Sequence, residues 1–342
     1  MPKITVVITT YNLENYIEDC LMELFSQTFQ DFNVVIVDDC STDRTRSIIG
    51  DFIAKYNDRI RAIFLEKNLG SPARARNAAL NSGLIDGDYI IFLDGDDSIE
   101  INFLEKLYFC ARDTEAEIVF CAYDRIDIET GRVLCVEMRN FPQQILLPPK
   151  DDILAFINGS LWNKLIKRSI IAEECIPDFK VGEDLAFQQS LYRKCSTISS
   201  VDEVLIHYHV RVGSVISNTQ QDTIFKFANE FVKNKNSTSE EVLKETIALT
   251  AFIHIGISMA LRAYDNKEIN IRDHLRWTQN YFKENFDFFY NYDFLTFNSL
   301  KKHGVRGGAI WVCKLLYKIK CFRAFLILYK VVTKIFRVDF KF

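Results

Sequence analysis

Three carboxylates within four residues, Asp94, Asp96 and Asp97, follow the apolar run 89–93. Like charges packed together repel each other, so such a cluster at the end of a buried strand calls for a compensating cation. Mg²⁺ and Mn²⁺ prefer oxygen ligands and can bridge a carboxylate to a diphosphate. Gly95 lets the backbone turn close to a ligand. A polar turn in which Asp97 caps the next helix is the structural alternative.

The loop after the first predicted strand reads Thr9-Thr10-Tyr11-Asn12. An aromatic ring there can lie against the flat face of a nucleobase. Alone, this pattern is equally well explained by a helix-entry turn with a packed tyrosine. After the second predicted strand, Asp38 and Asp39 are adjacent, and a carboxylate at that position can accept from a uracil-type N–H or from ribose hydroxyls. Asp43 and the hydroxyls before it are explained as helix caps.

The third loop leads into a helix that carries Arg74 and Arg76 near its start. Helix N-termini favour anions, and the guanidinium fork binds phosphate or carboxylate. One of the two arginines could equally be a structural partner for the nearby aspartates. Both readings stay open at the level of sequence.

The pair Glu183-Asp184 begins another helix, where acidic residues commonly do no more than cap. The stretch 208–216 then brings a cation, Arg211, a glycine and a hydroxyl, Ser214, into one loop. That combination suits a mobile clamp on a diphosphate, and the alternative is an ordinary loop at a strand end.

These residues are positioned by an alternation of short apolar runs and helical patterns over the first 125 residues. Continuous apolar strands separated by helices predict an α/β fold with a mostly parallel central sheet covered by helices on both faces. Such sheets bind ligands beyond the carboxyl ends of their strands. The predicted strands are 4–9, 33–37, 61–65, 89–93 and 117–123, and the predicted helices are 15–27, 43–56, 73–82 and 103–112.

Charge is distributed unevenly along the 342 residues, whose formal net charge is −4. From Lys301 to the end there are eleven Lys or Arg and one acid, so the preceding 300 residues carry a net charge of −14. This balance argues against nucleic-acid binding by the body and favours an anionic partner for the tail alone. Nine cysteines without metal-ligand spacing predict free thiols in a reducing cytosol.

Taken together, these segments resemble the family-2 glycosyltransferases, a GT-A-fold group that builds bacterial surface polysaccharides. The matching stretches are V-V-I-T-T-Y-N, V-D-D-C-S-T-D, G-S-P-A-R-A-R-N-A-A-L, F-L-D-G-D-D, L-W-N-K-L and G-E-D-L-A-F. The resemblance implies a GT-A nucleotide-diphospho-sugar transferase domain over 1–218, with a nucleotide-binding half at 1–100 and an acceptor half at 101–218. A helical region would occupy 219–342.

The resemblance also implies the roles of individual residues. A UDP-like donor would be bound by nine residues: Thr9, Tyr11, Asp39, Arg76, Asp94, Gly95, Asp96, Arg211 and Ser214. Within this set Tyr11 and Asp39 would hold the base with help from Arg76, and Asp94 would bind ribose. A Mn²⁺ or Mg²⁺ ion on the diphosphate would be held by Asp96, supported by Asp97.

On the acceptor side, the resemblance makes Asp184 the general base that deprotonates the attacking hydroxyl, which inverts the anomeric centre. The sugars would lie beside Trp162, Asn163, Lys164 and Glu183. The Q-x-x-R-W element of processive synthases in the family is absent, so we expect transfer of a single sugar. The sequence leaves the donor sugar, the acceptor, the linkage and the oligomeric state open.

The tail 308–337 is apolar and aromatic with regularly inserted cations, and its pattern predicts a basic amphipathic helix with a break near Lys320. Such a helix would lie on an anionic membrane surface, placing the protein in the cytoplasm on the inner face of the cell membrane. The alternative is a terminal helix packed on the body. No binding of nucleic acid is expected.

Three other functions are alternatives to this one. A nucleotidyltransferase also places acids at the end of such a sheet, but it would need a Gly-rich, basic loop after the first strand, which 9–13 does not offer. A dinucleotide oxidoreductase would need G-x-G-x-x-G at the same place. A non-catalytic, membrane-associated nucleotide- or sugar-binding protein would tolerate loss of Asp96 or Asp184, and both are present.

Overall fold

The computed structural model describes residues 2–172, 174–210, 219–286 and 292–336, with side chains up to Val331. The chain forms two compact units, the first comprising Met1–Leu147 with Asn158–Ser214 and the second Pro148–Ile157 with Val215–Phe342. The sequence-based division differs at 148–157, which it assigns to the first domain. A buried carboxylate explains the difference: Asp152 accepts from Ser299 Oγ, Lys302 Nζ and His303 Nε2 of the second unit, at 2.7–3.0 Å.

In the described part of the first unit, ten strands form one sheet. Eight of them follow the order β3-β2-β1-β4-β9-β6-β10-β5, with β7 paired to β6 and β8 paired to β10. Their bounds are β1 Ile4–Thr10, β2 Phe32–Asp38, β3 Ile60–Phe64, β4 Tyr89–Asp94, β5 Ser98–Ile99, β6 Ile118–Asp127, β7 Val133–Glu137, β8 Gln144–Leu146, β9 Lys164–Lys167 and β10 Thr197–Val210.

The sheet is mixed rather than mostly parallel. The strands β1 to β4 pair in parallel, whereas β9 runs antiparallel between β4 and β6. The parallel part follows from its sequence, because β1 and β2 are apolar and almost fully buried, as strands covered on both faces must be. Its register aligns Thr9 with Asp94 and Thr10 with Asp38, so the ends of three strands meet at one edge.

Among the described residues of the first unit there are six α-helices. The helix α3 begins with a proline at its first turn and buries Arg76 along with three of its alanines, an early sign that this arginine has internal partners. The bounds are α1 Ile17–Phe25, α2 Thr45–Lys55, α3 Pro72–Leu80, α4 Phe103–Thr114, α5 Arg168–Ile171 and α6 Glu183–Tyr192.

In its described residues the second unit is helical. One continuous helical run, Glu241–Asp265, is the single described segment long and apolar enough to cross a membrane, and 78% of its most apolar window is buried inside the protein. Burial of that extent is typical of a core helix, and its middle, Phe252–Ser258, is π-helical. The α-helices are α7 Gln221–Asn236, α8 Glu241–Ala251, α9 Met259–Asp265, α10 Ile271–Asn285, α11 Phe297–Leu300, α12 Gly304–Lys318 and α13 Phe322–Phe336.

The basic tail consists of two helices. Lys320 adopts φ +60° between α12 and α13, which confirms the break expected at that position. Phe322 and Leu326 of α13 are buried, so this helix packs through an aromatic and aliphatic face.

Candidate active site

The turn after β1 presents Tyr11 on its surface. The backbone N–H of Asn12 donates to Ser41 Oγ at 2.9 Å, and Asn12 Oδ1 accepts from the backbone N–H of Thr42 at 2.8 Å. Asn12 itself has φ +52°, a conformation that asparagine tolerates better than most residues. These bonds fix the turn while the Tyr11 side chain remains 49% exposed. The ring is therefore available to a ligand rather than packed in the core.

The two adjacent acids after β2 serve different partners. Asp38 is fully buried and accepts from Thr10 Oγ1, from the backbone N–H of Ser41 and from Arg46 Nε, the last at 2.5 Å. These contacts account for Asp38 as a structural residue.

Asp39 connects the second loop to the third. Its carboxylate accepts from the backbone N–H groups of Leu69 at 2.6 Å and Gly70 at 3.3 Å, and its carbonyl accepts from Asn68 Nδ2. The loop 68–70 is thereby fastened beside the Tyr11 turn, since the Asp39 backbone N–H donates to the Thr10 carbonyl. Asp39 thus holds together the loops from which a base-binding pocket would be built.

Arg76 lies at the centre of the site. Its Nη1 donates to Asp184 Oδ1 at 2.7 Å and its Nη2 donates to Asp94 Oδ1 at 2.8 Å. The Arg76 side chain is 4% exposed, whereas those of Asp94 and Asp184 are 30% and 20% exposed. These two partners raise the pKa of the guanidinium against the opposing effect of its burial. Of the two sequence interpretations, the structural one applies to Arg76, because its fork is occupied by carboxylates of this chain.

The second acid pair opens α6. Gly182, immediately before the helix, has φ +91°, which places the turn in a region that side chains rarely allow. Burial raises the pKa of Glu183 to about 7, helped by the adjacent Asp184. Burial also raises the pKa of Asp184, while Arg76 acts in the opposite direction. Two acids with raised pKa values beside a buried arginine are more than a helix cap requires.

Hydrogen bonds hold the loop 94–97 together and attach it to β10. The backbone N–H of Asp97 donates to the Asp94 carbonyl at 3.2 Å, and Asp97 Oδ1 accepts from the backbone N–H of His209 at 3.3 Å. His209 Nδ1 is 3.0 Å from the Asp96 carbonyl and donates to it. The helix-cap alternative is wrong here, because β5 follows directly and α4 begins only at Phe103.

Gly95 packs closely against apolar side chains. A Cβ at this position would lie 3.1 Å from Leu13 Cδ1 and 3.2 Å from Ile17 Cδ1, closer than most such contacts. The glycine lets the acidic loop lie against the apolar side chains at the start of α1. This packing is a second reason for a glycine at this position, and its close approach to a ligand stays a prediction.

The carboxylates of the loop 94–97 suit a divalent cation whose other ligands would come from a diphosphate. In the described ranges no three His, Cys, Asp or Glu residues come together as a complete metal site. Mg²⁺ and Mn²⁺ in nucleotide enzymes are often held by one or two carboxylates and by the phosphates themselves, so a full protein ligand set is not required. The part-exposed Asp96 can supply such a ligand, while the buried Asp97 has one oxygen engaged with β10.

The predicted sugar contacts 162–164 are largely internal. Trp162 stacks on Tyr208 with ring centroids 5.5 Å apart and meets Tyr123 edge-on. Asn163 is fully buried, and its Nδ2 donates to the Cys121 carbonyl at 2.8 Å. These contacts make both residues part of the wall behind the site.

Lys164 is buried among oxygens. Its Nζ lies 2.6–3.0 Å from the Asn158 carbonyl and Oδ1, the Ser160 carbonyl and Asn163 Oδ1, the acceptors that an ammonium group needs. Burial lowers its pKa to about 7. We therefore interpret Lys164 as the residue that stabilises the loop 158–163 through these hydrogen bonds, not as a direct sugar contact.

This loop lies directly against the start of α6. A Cβ on Gly159 would clash with Leu185 Cβ, so only glycine permits the approach. The loop and the acid pair Glu183-Asp184 are consequently fixed with respect to each other. Arg211 and Ser214, the predicted diphosphate clamp, lie outside the described residues.

Sequence reasoning missed three positioning residues. Asn12, Asn68 and His209 hold the loops after β1, β3 and β4 through hydrogen bonds. An asparagine next to the exposed Tyr11 and one at the start of the loop 68–70 are the kind of turn signal that could have suggested the first two. Nothing in the sequence indicates that His209 reaches the 94–97 loop, because that contact depends on β10 lying beside β5.

Comparisons with known proteins identify the family of this chain. The family described as Glycosyl transferase family 2 matches residues 5–169. The putative teichuronic acid biosynthesis glycosyltransferase TuaG of Bacillus subtilis is 31% identical over 217 residues, which are 64% of this chain and 82% of TuaG. Coverage differs between relatives, since the chain spans 31% of the Streptococcus pneumoniae glycosyltransferase GlyA.

Two solved structures share the fold. That of S. aureus TarS 1–349 in complex with UDP-GlcNAc has a TM-score of 0.67 at 21% identity and covers 96% of this chain and 91% of that one. The mannosyltransferase PcManGT from Pyrobaculum calidifontis, in complex with GDP-Man and Mn²⁺, has a TM-score of 0.52 at 15% identity and covers 99% and 88%. The GT-A fold expected from the sequence is confirmed, and the nucleotidyltransferase and binding-protein alternatives lose their support. The chain belongs to glycosyltransferase family 2.

Proposed function

We propose that this chain is an inverting glycosyltransferase that moves a single sugar from a nucleotide-diphosphate donor, most simply a UDP-sugar, to an acceptor hydroxyl. The acceptor is a saccharide or lipid-linked saccharide of a cell-surface polysaccharide. The observation that carries the proposal is the bridge from Asp94 through Arg76 to Asp184. Through this bridge, only the guanidinium of Arg76 separates the Asp184 carboxylate from the end of β4, where the donor would bind.

Donor binding is assigned to the loops after β1, β2 and β4. Tyr11 would stack on the base, Asp39 would accept from the base or ribose, and Asp94 would use its remaining oxygen for a ribose hydroxyl. A divalent cation at Asp96, supported by Asp97, would compensate the charge of the diphosphate. TarS, a relative whose structure contains UDP-GlcNAc, supports a UDP-sugar as the first donor to test.

Asp184 is assigned as the general base. It would take the proton of the acceptor hydroxyl as that oxygen attacks the anomeric carbon from the face opposite the leaving nucleotide. Glu183 and Trp162 would border the acceptor. A base needs a carboxylate that a substrate can reach, and the Asp184 side chain is 20% exposed although Arg76 binds one of its oxygens.

Titration calorimetry and a transfer assay test this assignment. We expect UDP to bind more tightly with Mn²⁺ than without it, and Asp184→Asn to lower kcat about 10²–10⁴-fold with little change in UDP affinity. Asp178→Asn, which alters an exposed acid paired with Arg74, is the matched control. NMR of the product gives the anomeric configuration. Unaltered turnover in Asp184→Asn, or retention at the anomeric carbon, would overturn the proposal.

The proposal also places the protein on the cytoplasmic face of the membrane, bound through its tail. The helix α12 and the residue after it expose four apolar side chains along one stripe: Val305, Val312, Leu315 and Ile319. Cations flank the stripe, and the stretch 301–331 contains no acidic residue. A second copy would bring like charges together, whereas anionic lipid complements both the cations and the apolar centre.

Vesicle sedimentation tests this part. We expect binding to phosphatidylglycerol-containing vesicles that falls with added salt, and weaker binding in the triple variant Val312→Ser, Leu315→Ser, Ile319→Ser. The matched control changes three exposed apolar residues of the first unit: Ile101→Ser, Val133→Ser and Leu146→Ser. Equal binding of the two triple variants, or no preference for anionic over neutral vesicles, would contradict the membrane assignment.

A further inference from the structure

The ion-pair bridge suggests a role for Arg76 that differs from contact with the nucleobase. The guanidinium comes from α3, while Asp94 ends β4 and Asp184 opens α6. Each terminal nitrogen of the fork is bonded to one carboxylate oxygen, at 2.7 and 2.8 Å. The cation is buried and the two acids are partly exposed, so Arg76 lies beneath the acids rather than beside a ligand.

We propose that Arg76 is a positioning residue that holds the Asp184 carboxylate in the orientation from which it accepts the acceptor's proton, with Asp94 as the second anchor of the guanidinium. This inference rests on the proposed function, because it takes Asp184 as the base. Arg76 touches neither donor nor acceptor and acts through the two acids. The rigid, planar guanidinium suits this task because its bond to Asp94 fixes the plane of the group, and that plane sets the direction of the bond to Asp184.

Electrostatics give Arg76 a second effect on the same acid. Burial raises the pKa of Asp184, and the neighbouring guanidinium opposes that rise. A base must be ionised to accept a proton, so the cation widens the pH range in which Asp184 is competent. Loss of the charge would therefore move the acidic limb of the rate profile to higher pH.

The charge and the fork can be separated by substitution. Arg76→Lys keeps a cation but cannot bond two carboxylates in parallel, so Asp184 loses its fixed direction. Arg76→Gln also removes the charge. Arg61→Lys is a matched control, since Arg61 uses its fork on Asp86 and the Leu84 carbonyl at the opposite end of the parallel strands.

Steady-state kinetics between pH 5 and 9, together with UDP calorimetry, test the inference. We expect Arg76→Lys to lower kcat about 10–100-fold, as misplacement of a catalytic group does, while UDP affinity changes less than about 3-fold. Arg76→Gln should in addition shift the acidic limb upward. In an Asp184→Asn background, Arg76→Lys should have little further effect, because its route of action is already removed.

Outcomes are assigned separately to the inference and to the proposed function. If Asp184→Asn lowers kcat but Arg76→Lys weakens UDP binding at unchanged kcat, Arg76 is a donor contact and only this inference is overturned. If Asp184→Asn leaves turnover unaltered, the proposed function is overturned. Thermal unfolding reports whether each variant folds. Should Arg76→Lys not fold, Asp184→Glu displaces the carboxylate from Arg76 by one methylene, and an unchanged kcat in that variant would overturn the inference.

Discussion

The acid pair Asp38-Asp39 follows a strand, whereas the pair Glu183-Asp184 opens a helix, and both pairs are largely buried. In the first pair, every carboxylate oxygen accepts a hydrogen bond from the protein, and each bond fastens one loop to another. In the second pair, Asp184 accepts from Arg76 and from the backbone N–H of Leu161, and its side chain remains 20% exposed. Adjacent acids in a sequence can thus be either structural or open to chemistry, and exposure of the carboxylate distinguishes Asp184 from the fully buried Asp38.

The largest effect on stability is expected at Asp38. Asp38→Asn should lower the free energy of unfolding by about 2–4 kcal/mol, because it weakens a buried ion pair and disturbs bonds from two loops. Urea unfolding measures the change. Asp88→Asn is the control, since Asp88 pairs with Lys3 on the surface and should matter by less than about 1 kcal/mol. If both variants lost a similar free energy of unfolding, Asp38 would be no more important to the structure than a surface acid.

Gly159→Ala probes the packing that fixes the second acid pair. Because its Cβ would meet Leu185, the loop must move away from α6, at a cost of about 1–3 kcal/mol. Gly50→Ala in α2 has nothing within 4 Å and should instead stabilise by about 0.5–1 kcal/mol, since alanine is the better helix former. Thermal unfolding measures the stability of both variants. If both were less stable than the unmodified protein, the close approach of Gly159 to Leu185 would not be the cause.

Asp39→Asn should have a smaller effect on stability, about 1 kcal/mol, because one oxygen is retained while an amide group replaces the other acceptor. If Asp39 also contacts the donor, UDP affinity should fall about 10-fold by calorimetry. An unchanged affinity together with reduced stability would make Asp39 as purely structural as Asp38.

The smallest expected effect is the pH dependence contributed by Glu183. Its pKa is raised to about 7 by burial, so the folded state holds this proton more tightly than the unfolded chain does. The resulting stability is complete at low pH, below the unfolded value, and is lost as pH rises through about 7. Unfolding at pH 5 and pH 8 should therefore show a smaller difference in Glu183→Gln than in the unmodified protein. An identical difference would exclude Glu183 as the titrating group.

Sequence reasoning predicted local features better than distant ones. The strands β1 to β4 and the helices between them lie within two residues of their predicted bounds at most ends, because burial on both faces leaves a continuous apolar run. The antiparallel insertion of β9 was not predicted, since four residues carry no signal of their partners. The loops that bear Tyr11, Asp39 and Asp94 were predicted as well, because they begin where these apolar runs end.

The sequence alone does not show which groups the guanidinium of Arg76 binds. Its partners are 18 and 108 residues away, and an arginine at a helix start fits an anion from a ligand as well as one from the chain. The interior positions of Asn163 and Lys164 were equally hidden, because they depend on the fit of Gly159 against α6. Conversely, the role of Asp184 as a base came from family resemblance and stays a prediction.

The buried guanidinium also bears on how this end of the sheet assembles. The carboxylates of Asp94 and Asp184 meet there, and two like charges so close together would oppose folding if only an external ion could offset them. Arg76 is a counter-ion built into the chain, and its single positive charge offsets one of these two negative charges before any ligand arrives. We therefore expect the scaffold to fold in the absence of metal, unlike a zinc finger, whose folding requires its ion. Under the proposed function, a cation would then be free to bind and leave with each nucleotide.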